Sequence, residues 1–192
     1  MMEAIYPVWH PGLADPSGQR LAKSRTRGKT MVIDKGLGLH AFEDLLNTSA
    51  DYIDIIKFGF GTACLYPATV LKAKIRLARE RGITVIPGGT FLEVAISRKL
   101  VDDYFETVLE FGFDGIEISD GTIEMDRSQR NRLIERGLDC GLTIFTEYGK
   151  KGWGSRVEVD ELVATVISDI QMGAQLVTIE GRESGAGVGI YD

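Results

Sequence analysis

Short apolar runs rich in β-branched residues alternate along the chain with longer segments in which apolar residues recur every three to four positions. A short run of this kind, bounded by glycine, proline or charged residues, is typical of a buried β-strand. The runs predict six strands, at residues 30–34, 52–58, 83–89, 113–119, 142–147 and 176–181.

The segments between these runs carry helical signals. A segment that starts near Asp126, with Gln129 three residues later, resembles a capping box and predicts a helix that closes around Gly137. Apolar residues on one helical face recur in two further segments, at Leu71, Ile75 and Ala78 and at Val163, Val166, Ile167 and Ile170. Strict alternation of strand and helix favours parallel strands with right-handed crossovers, in either an open doubly wound sheet or a closed barrel.

Polar and charged residues collect at the carboxyl ends of the predicted strands. A TIM-type barrel carries its active site at that rim, whereas an open sheet concentrates its ligand groups at one switch point. The distribution therefore favours an α/β fold of the TIM-type (β/α)8 class. In the fourth strand, alternation points Ile116 and Ile118 toward the helices and Glu117 and Ser119 toward the barrel axis. The rim residues are Asp34, Lys35, Lys57, Glu117, Ser119, Asp120, Glu147, Lys150, Glu180 and Arg182.

Composition narrows the class of partner. The formal net charge of -6 and the pI near 5.1 argue against a nucleic-acid surface and favour a small-molecule substrate. The only cysteines, Cys64 and Cys140, offer no disulfide framework, which is typical of a cytoplasmic protein. No apolar stretch reaches the roughly 18 residues of a membrane span, so no membrane association is expected.

Several motifs resemble those of one known family. The segments "TMVIDKGLG", "DYIDIIKFGFGT", "IPGGT", "IEISDGTI", "EYGKK" and "IEGRESGAGVGIYD" occur in order between about residue 25 and residue 192. They are similar to the signature segments of the phosphosulfolactate synthases, which add sulfite to phosphoenolpyruvate on the route to coenzyme M and related sulfonates. The resemblance implies a (β/α)8 barrel with a magnesium-dependent site at the carboxyl ends of its strands.

The same resemblance sets expectations for domain organisation. Residues 1–24 are expected to form an N-terminal arm, and residues 25–192 a single barrel domain. Family members run longer and have eight units, whereas six are visible here, so the last two units are expected to be missing. Exposed parallel strand edges favour self-association, so a homo-oligomer is expected.

The chemistry implied by the family requires charges of both signs. Phosphoenolpyruvate and sulfite are anions, and charge that develops on the substrate carboxylate calls for a cation such as Mg²⁺, which prefers oxygen ligands. Among the available carboxylates, Glu117, Glu147 and Glu180 are the proposed metal ligands because each lies near a strand end. They are alternatively partners that hold the lysines and Arg182. The wider set also includes Glu93, Asp120 and Glu183.

Addition across the double bond also requires a proton donor. Lys150 and Lys151 are adjacent, and their mutual repulsion lowers the proton affinity of each. Lys151 is the proposed donor, and Lys150 is expected to hold an anion. Lys57 is expected to bind phosphate or carboxylate, and Arg182 to bind phosphate or sulfite through its fork. Lys35 and Arg25 are further substrate-binding candidates of the same kind.

Two other functions remain open from the sequence. Plant heat-stress-associated proteins resemble the same family, so the chain is alternatively a non-catalytic, stress-associated relative. It is also compatible with another phosphate-handling barrel enzyme, such as an aldolase, in which a lysine forms a Schiff base.

Overall fold

The computed structural model describes residues 10–15, 17–19, 21–149 and 158–180. All six strands expected from the sequence are present, and every one is followed or preceded by a helix. The strands are β1 Met31–Asp34, β2 Ile55–Phe58, β3 Thr84–Pro87, β4 Gly115–Ile118, β5 Thr143–Tyr148 and β6 Leu176–Ile179. The helices are α1 Pro11–Ala14, α2 Leu39–Ser49, α3 Ala68–Arg79, α4 Gly89–Arg98, α5 Val101–Phe111, α6 Arg127–Asp139 and α7 Val159–Gln171. Within these ranges, no helix is long and apolar enough to cross a membrane.

All paired strands run parallel, as the alternation predicts. The orders β1-β2-β3 and β4-β5-β6 form two three-stranded sheets. Asp114 joins them, because its backbone N–H donates to the Val85 carbonyl at 3.0 Å and its carboxylate accepts from the Val85 N–H at 2.8 Å. The six strands therefore follow one another in chain order around a common axis, as in part of a barrel.

Side-chain alternation separates the interior of this partial barrel from the layer under the helices. Ile116 and Ile118 of β4 belong to the large apolar cluster beneath the helices, as expected. A second, smaller cluster lies on the axis side and consists of Ile55, Ile86 and Phe145, with Met31 and Leu176 packed against it. This apolar layer closes the axis below the carboxyl ends of the strands.

The cap predicted for α6 is confirmed. The Asp126 carboxylate accepts a hydrogen bond from the Gln129 N–H at 2.7 Å, and the helix continues to Asp139, two residues beyond the expected glycine. In α3, Leu71, Ile75 and Ala78 are buried, as their spacing predicts.

Helix α7 forms where it was expected, but its apolar face is largely exposed. Val163, Ile167 and Ile170 expose 49%, 52% and 47% of their surfaces. Among the described residues, no strand pairs with the outer edges of β1 and β6, and α7 packs against β5 and β6. The periodicity identified the helix correctly, but a period alone does not specify what covers an apolar face.

The segment before β1 contacts the amino-terminal side of the barrel. Lys23 donates to the backbone carbonyls of Ala50 at 2.7 Å and Arg81 at 2.6 Å. The division into an arm at residues 1–24 and a domain at residues 25–192 stays a prediction.

Candidate active site

Lys57 lies at the centre of a buried charge cluster above the apolar layer of the axis. Its Nζ donates to both carboxylate oxygens of Glu117 at 2.9 Å and to Glu147 Oε2 at 3.3 Å. The three side chains come from β2, β4 and β5, and each is at most 8% exposed. They meet because inward-facing residues at the same height of parallel strands point to the same axis.

The charges of this cluster favour the ammonium form of Lys57 but oppose full ionisation of Glu117. Burial alone would lower the pKa of Lys57, but the carboxylates of Glu117 and Glu147 outweigh it, so the pKa is raised and the ammonium form is favoured. Burial raises the pKa of Glu117, and the neighbouring charge of Glu147 raises it further against the opposing effect of Lys57. Burial is therefore the main reason that the pKa of Glu117 is raised, and the second carboxylate beside the same ammonium group adds to it.

The loop between β3 and α4 brings the backbone close to Glu117. The Gly89 N–H donates to Glu117 Oε2 at 2.8 Å. A Cβ atom at Gly89 would contact the Ser119 hydroxyl and would lie 2.9 Å from Ser119 Cβ. At Gly88 a Cβ atom would lie 3.1 Å from both the Phe58 carbonyl oxygen and the Phe60 nitrogen. The glycine pair is therefore required for this close approach.

The cluster lines a cavity of about 200 Å³ at the carboxyl ends of the strands. Glu180, which follows β6, contributes a third carboxylate, so three carboxylates face one ammonium group and the lining is formally acidic. Phe60 also lines it, with a backbone φ of 54°, an unusual conformation for a residue with a bulky side chain. Further lining residues are Met31, Ile33, Gly59, Gly88, Gly89, Thr90, Thr178 and Ile179.

The other predicted cationic residues do not all join this cavity. Lys35 follows β1, is exposed, and lies with its Nζ 5.3 Å from the centre of the Phe60 ring, at the rim of the cavity. Arg25 lies at the amino ends of the strands, where its Nε is 3.2 Å from a carboxylate oxygen of Asp54, the residue before β2. Arg25 is thus remote from the carboxyl ends and is placed with the framework. Lys150, Lys151 and Arg182 lie outside the described residues.

Two of the wider set of carboxylates hold the framework instead of lining the cavity. Glu93 accepts hydrogen bonds from the hydroxyls of Ser119 and Thr122 and from the Gly121 N–H, which ties the loop after β4 to α4. Asp120 lies 3.5 Å from Nη1 of Arg130.

Arg130 itself was missed in the sequence, although a signal for it exists. It is 4% exposed and lies in phase with Leu133, Ile134 and Gly137, the buried positions of α6. A charged residue in phase with a buried helix face requires a buried partner. Its partners lie on other elements, so the sequence alone does not identify them.

The carboxylates of the cavity suit only one mode of magnesium binding. Among the described residues, no group of three or more acidic, histidine or cysteine side chains is arranged to hold a metal. Of the three carboxylates in the lining, Glu117 accepts from Lys57 through both oxygens and also from Gly89, whereas Glu147 accepts from Lys57 through one oxygen. Mg²⁺ is commonly held by one or two carboxylates, with water and substrate oxygens completing its coordination. The cavity fits this mode and does not form an all-protein cage.

Parallel strands that alternate with helices, with the ionisable cluster at their carboxyl ends, define a barrel-type α/β enzyme. The carboxyl transferase domain of Rhizobium etli pyruvate carboxylase shares this fold, with a TM-score of 0.52 and 12% identity over 78% of this chain and 26% of that chain. At this identity, the likeness concerns the fold alone.

The particular family follows from the sequence comparisons. The model of the (2R)-phospho-3-sulfolactate synthase (ComA) family matches residues 18–192. The phosphosulfolactate synthase of Methanothermobacter thermautotrophicus is 41% identical over 175 residues, which are 90% of this chain and 68% of that protein. The chain therefore belongs to the phosphosulfolactate synthase family, and the expected resemblance is confirmed.

The expected likeness to a plant stress protein is also confirmed. The protein HEAT-STRESS-ASSOCIATED 32 of Arabidopsis thaliana is 27% identical over 107 residues, 55% of this chain and 37% of that protein. This match is shorter and less similar than the match to the archaeal synthase.

Proposed function

We propose that this chain catalyses the addition of sulfite to phosphoenolpyruvate, giving 2-phospho-3-sulfolactate. The family match over residues 18–192 is the observation that carries the proposal. The buried cluster of Lys57, Glu117 and Glu147 at the carboxyl ends of the strands supports it, because barrel enzymes place their chemistry at that face.

The proposed product carries its sulfonate group on C3 and its phosphate group on C2, which shows where the new bonds form. The sulfite sulfur supplies an electron pair for a new C–S bond at C3 of phosphoenolpyruvate. The electrons of the double bond move toward C2 and the adjacent carboxylate, and a proton is then added at C2. Negative charge therefore grows on a substrate that is already anionic, and an acidic cavity alone would oppose the reaction.

Positive charge must accordingly come from outside the Lys57 cluster. Lys150 and Arg182 are proposed to hold the anionic groups, with Lys151 as the proton donor, and Lys35 is a further cation at the rim. Lys57 is proposed to orient Glu117 and Glu147 through its three N–H donors, and it would bind a phosphate or carboxylate oxygen of the substrate by exchanging one of these bonds. Its raised pKa suits a permanent cation better than a proton donor.

The proposed magnesium ion would be held by Glu147 and Glu180, which line the cavity beside Lys57. When bound, it would supply positive charge to the carboxylate of the substrate. Glu117 is the least suited of the three predicted ligands, because both of its oxygens already accept from Lys57.

The cluster argues against an aldolase of the Schiff-base type. A lysine must lose its proton before it attacks a carbonyl group, and the two carboxylates beside Lys57 favour its ammonium form. The stress-associated alternative makes a different prediction, a folded chain without turnover.

Three broader features belong to the same proposal. We propose that the six βα units are part of a (β/α)8 barrel, which the unpaired outer edges of β1 and β6 among the described residues support. Self-association is proposed because Val163 and Ile167 on α7 are half exposed. A cytoplasmic location is proposed because the thiols of Cys64 and Cys140 are free.

The experiment measures loss of phosphoenolpyruvate by the purified chain with sulfite and Mg²⁺, with and without EDTA. The product is identified by mass spectrometry. Lys151→Ala is expected to abolish turnover, whereas Lys72→Ala, at an exposed residue paired with Glu110, is the matched control and should not. A folded chain that shows no sulfite-dependent turnover overturns the proposal and favours the stress-associated alternative. Borohydride trapping of a substrate carbonyl on Lys57 would instead support the aldolase.

A further inference from the structure

Arg130 joins three elements that surround the candidate site. From α6, its Nε and Nη2 donate to the Asp169 carboxylate on α7, with the shortest bond, Nη2 to Oδ2, at 2.7 Å. The same Nη2 donates to the backbone carbonyl of Glu147 on β5 at 3.1 Å. Nη1 lies 3.5 Å from a carboxylate oxygen of Asp120, two residues beyond the end of β4. One guanidinium group therefore contacts α7 and the ends of both strands that carry the acidic partners of Lys57.

The bond to β5 falls at a position that matters for the site. Glu147 is the residue whose carboxylate reaches Lys57, so a bond to its carbonyl limits how its backbone can rotate. The next carbonyl, of Tyr148, accepts from the Glu180 N–H at 2.9 Å. Arg130 therefore restrains the end of β5, which positions the Glu147 side chain and accepts the hydrogen bond from the Glu180 backbone. This part of the strand leads through Gly149 directly into Lys150 in the sequence.

Asp169 keeps the guanidinium group in this orientation. It is fully buried, and although burial would raise its pKa, the hydrogen bonds and charge of Arg130 and Arg127 lower it, so the carboxylate stays ionised. Arg127 donates to the same carboxylate at 2.5 Å from a more exposed position, with 39% of its side chain accessible. The two arginines thus share one partner, but the bond to the β5 carbonyl comes from Arg130.

We infer that Arg130 is a positioning residue for the reaction at the Lys57 cluster. Through its bond to the Glu147 backbone, it holds the Glu147 carboxylate and the carboxyl end of β5 in place. Arg130 itself does not line the cavity. The inference rests on the proposed function. Its structural part, the restraint of β5 by Arg130, is measurable without turnover.

Lysine substitutions at the two arginines separate positioning from simple stabilisation. In Arg130→Lys, one ammonium group replaces a fork that bonds Asp169 and the β5 carbonyl together, so one of these contacts is lost. Arg127→Lys disturbs the same carboxylate and leaves the Arg130 bond to β5 in place. We expect Arg130→Lys to lower kcat about ten- to a hundredfold with KM changed less than about threefold, because small displacements of catalytic groups cost rate more than binding. Arg127→Lys should change kcat less than about twofold.

Hydrogen–deuterium exchange of the segment Thr143–Tyr148 gives the second readout. Faster exchange in Arg130→Lys than in Arg127→Lys supports the inference, and equal exchange in the two variants overturns it. If both variants lose equal kcat, Arg130 is a stabilising residue only, and the inference also fails. If the unsubstituted chain has no turnover, the proposed function fails, and the exchange comparison alone decides whether Arg130 restrains β5.

A second variant covers the case in which Arg130→Lys does not fold. Asp169→Asn weakens the orientation of the guanidinium fork but keeps an acceptor oxygen for it. The inference predicts faster exchange in Thr143–Tyr148 for this variant as well. Unchanged exchange in a folded Asp169→Asn protein would count against the restraint.

Discussion

Lys57 and Glu117 are 60 residues apart in the sequence, yet the lysine Nζ is 2.9 Å from both carboxylate oxygens of Glu117. Both side chains are nearly buried, and the Gly89 N–H completes the surroundings of the carboxylate. This pair sets the charge of the cavity floor, because it keeps the only described lysine of the lining in its ammonium form.

Substituting Glu117 should therefore change the proton affinity of Lys57. In Glu117→Gln, burial opposes the ammonium form and Glu147 alone still favours it, so we expect the pKa of Lys57 to fall. The matched variant Glu147→Gln should cause a smaller fall, because Glu147 offers one bond at 3.3 Å. Titration of the Lys57 Nζ by NMR measures both shifts, and a larger fall in Glu147→Gln would contradict this account.

Gly89→Ala tests whether the close approach of the β3–α4 loop matters for the site. The added Cβ would contact the Ser119 side chain and would lie 3.2 Å from Glu117 Oε2, so the carboxylate must shift. We expect a loss of about 1–3 kcal/mol in the free energy of unfolding and a reduced kcat. Gly38→Ala is the control, since its φ is -66° and its Cβ would meet nothing within 4 Å. Denaturant unfolding compares the two, and equal losses would exclude a special role for Gly89.

Lys74 provides a test of a buried ion pair outside the cavity. It is fully buried on α3, pairs with Asp34, and has its Nζ 4.0 Å from the centre of the Tyr66 ring. Lys74→Met should lower the free energy of unfolding by about 3–5 kcal/mol, because it leaves the Asp34 carboxylate buried without its cation. Lys72→Met, in an exposed pair with Glu110, should cost less than about 1 kcal/mol.

The double variant Lys74→Met/Asp34→Asn separates the charge of the carboxylate from its hydrogen bonds. If the unpaired carboxylate causes the loss, removing its charge should restore part of the free energy of unfolding. A double variant less stable than Lys74→Met would show instead that the hydrogen bonds of the Asp34 carboxylate with Gly36, Leu37 and Tyr66 outweigh the cost of its unpaired charge.

The strands and the inward position of Glu117 could be predicted because alternation along a strand depends on neighbouring residues. Which carboxylate reaches Lys57 could not, because that contact depends on how β2 and β4 are placed around the axis. Lys74 and Arg130 show an intermediate case. Each lies in phase with the buried apolar positions of its helix, so burial could be inferred from the sequence. Their partners, Asp34 and Asp169, become apparent only in the fold.

Arg25, a predicted substrate-binding residue, lies at the amino ends of the strands, opposite the candidate site. Its charge makes it a substrate-binding candidate of the same kind as Lys35. It precedes β1, however, and its carboxylate partner Asp54 precedes β2. Residues that precede parallel strands collect at the end opposite the residues that follow them. Position relative to a strand is therefore a better guide to the site than charge.

The pH dependence of stability should reveal the two buried aspartates. Burial would raise the pKa of Asp34 and of Asp169, but their bonds to Lys74 and to Arg130 outweigh it, so both pKa values are lowered. The unfolded chain therefore binds more protons near the ordinary aspartate pKa of about 3.9. The stabilisation is present above this pH and is lost as the pH falls through the lowered values.

We expect the free energy of unfolding, measured in urea at a series of pH values, to fall steeply below about pH 4. Asp169→Asn should be less stable at pH 7 and should show a shallower decline, because one of the two titrating groups is gone. Asp102→Asn is the control for the substitution itself, since this carboxylate is 84% exposed in its pair with Arg136. Glu117 has a raised pKa and so contributes with the opposite sign, which makes the difference between variants more informative than the wild-type curve. An identical slope for Asp169→Asn and the unsubstituted chain would show that Asp169 does not titrate with a lowered pKa.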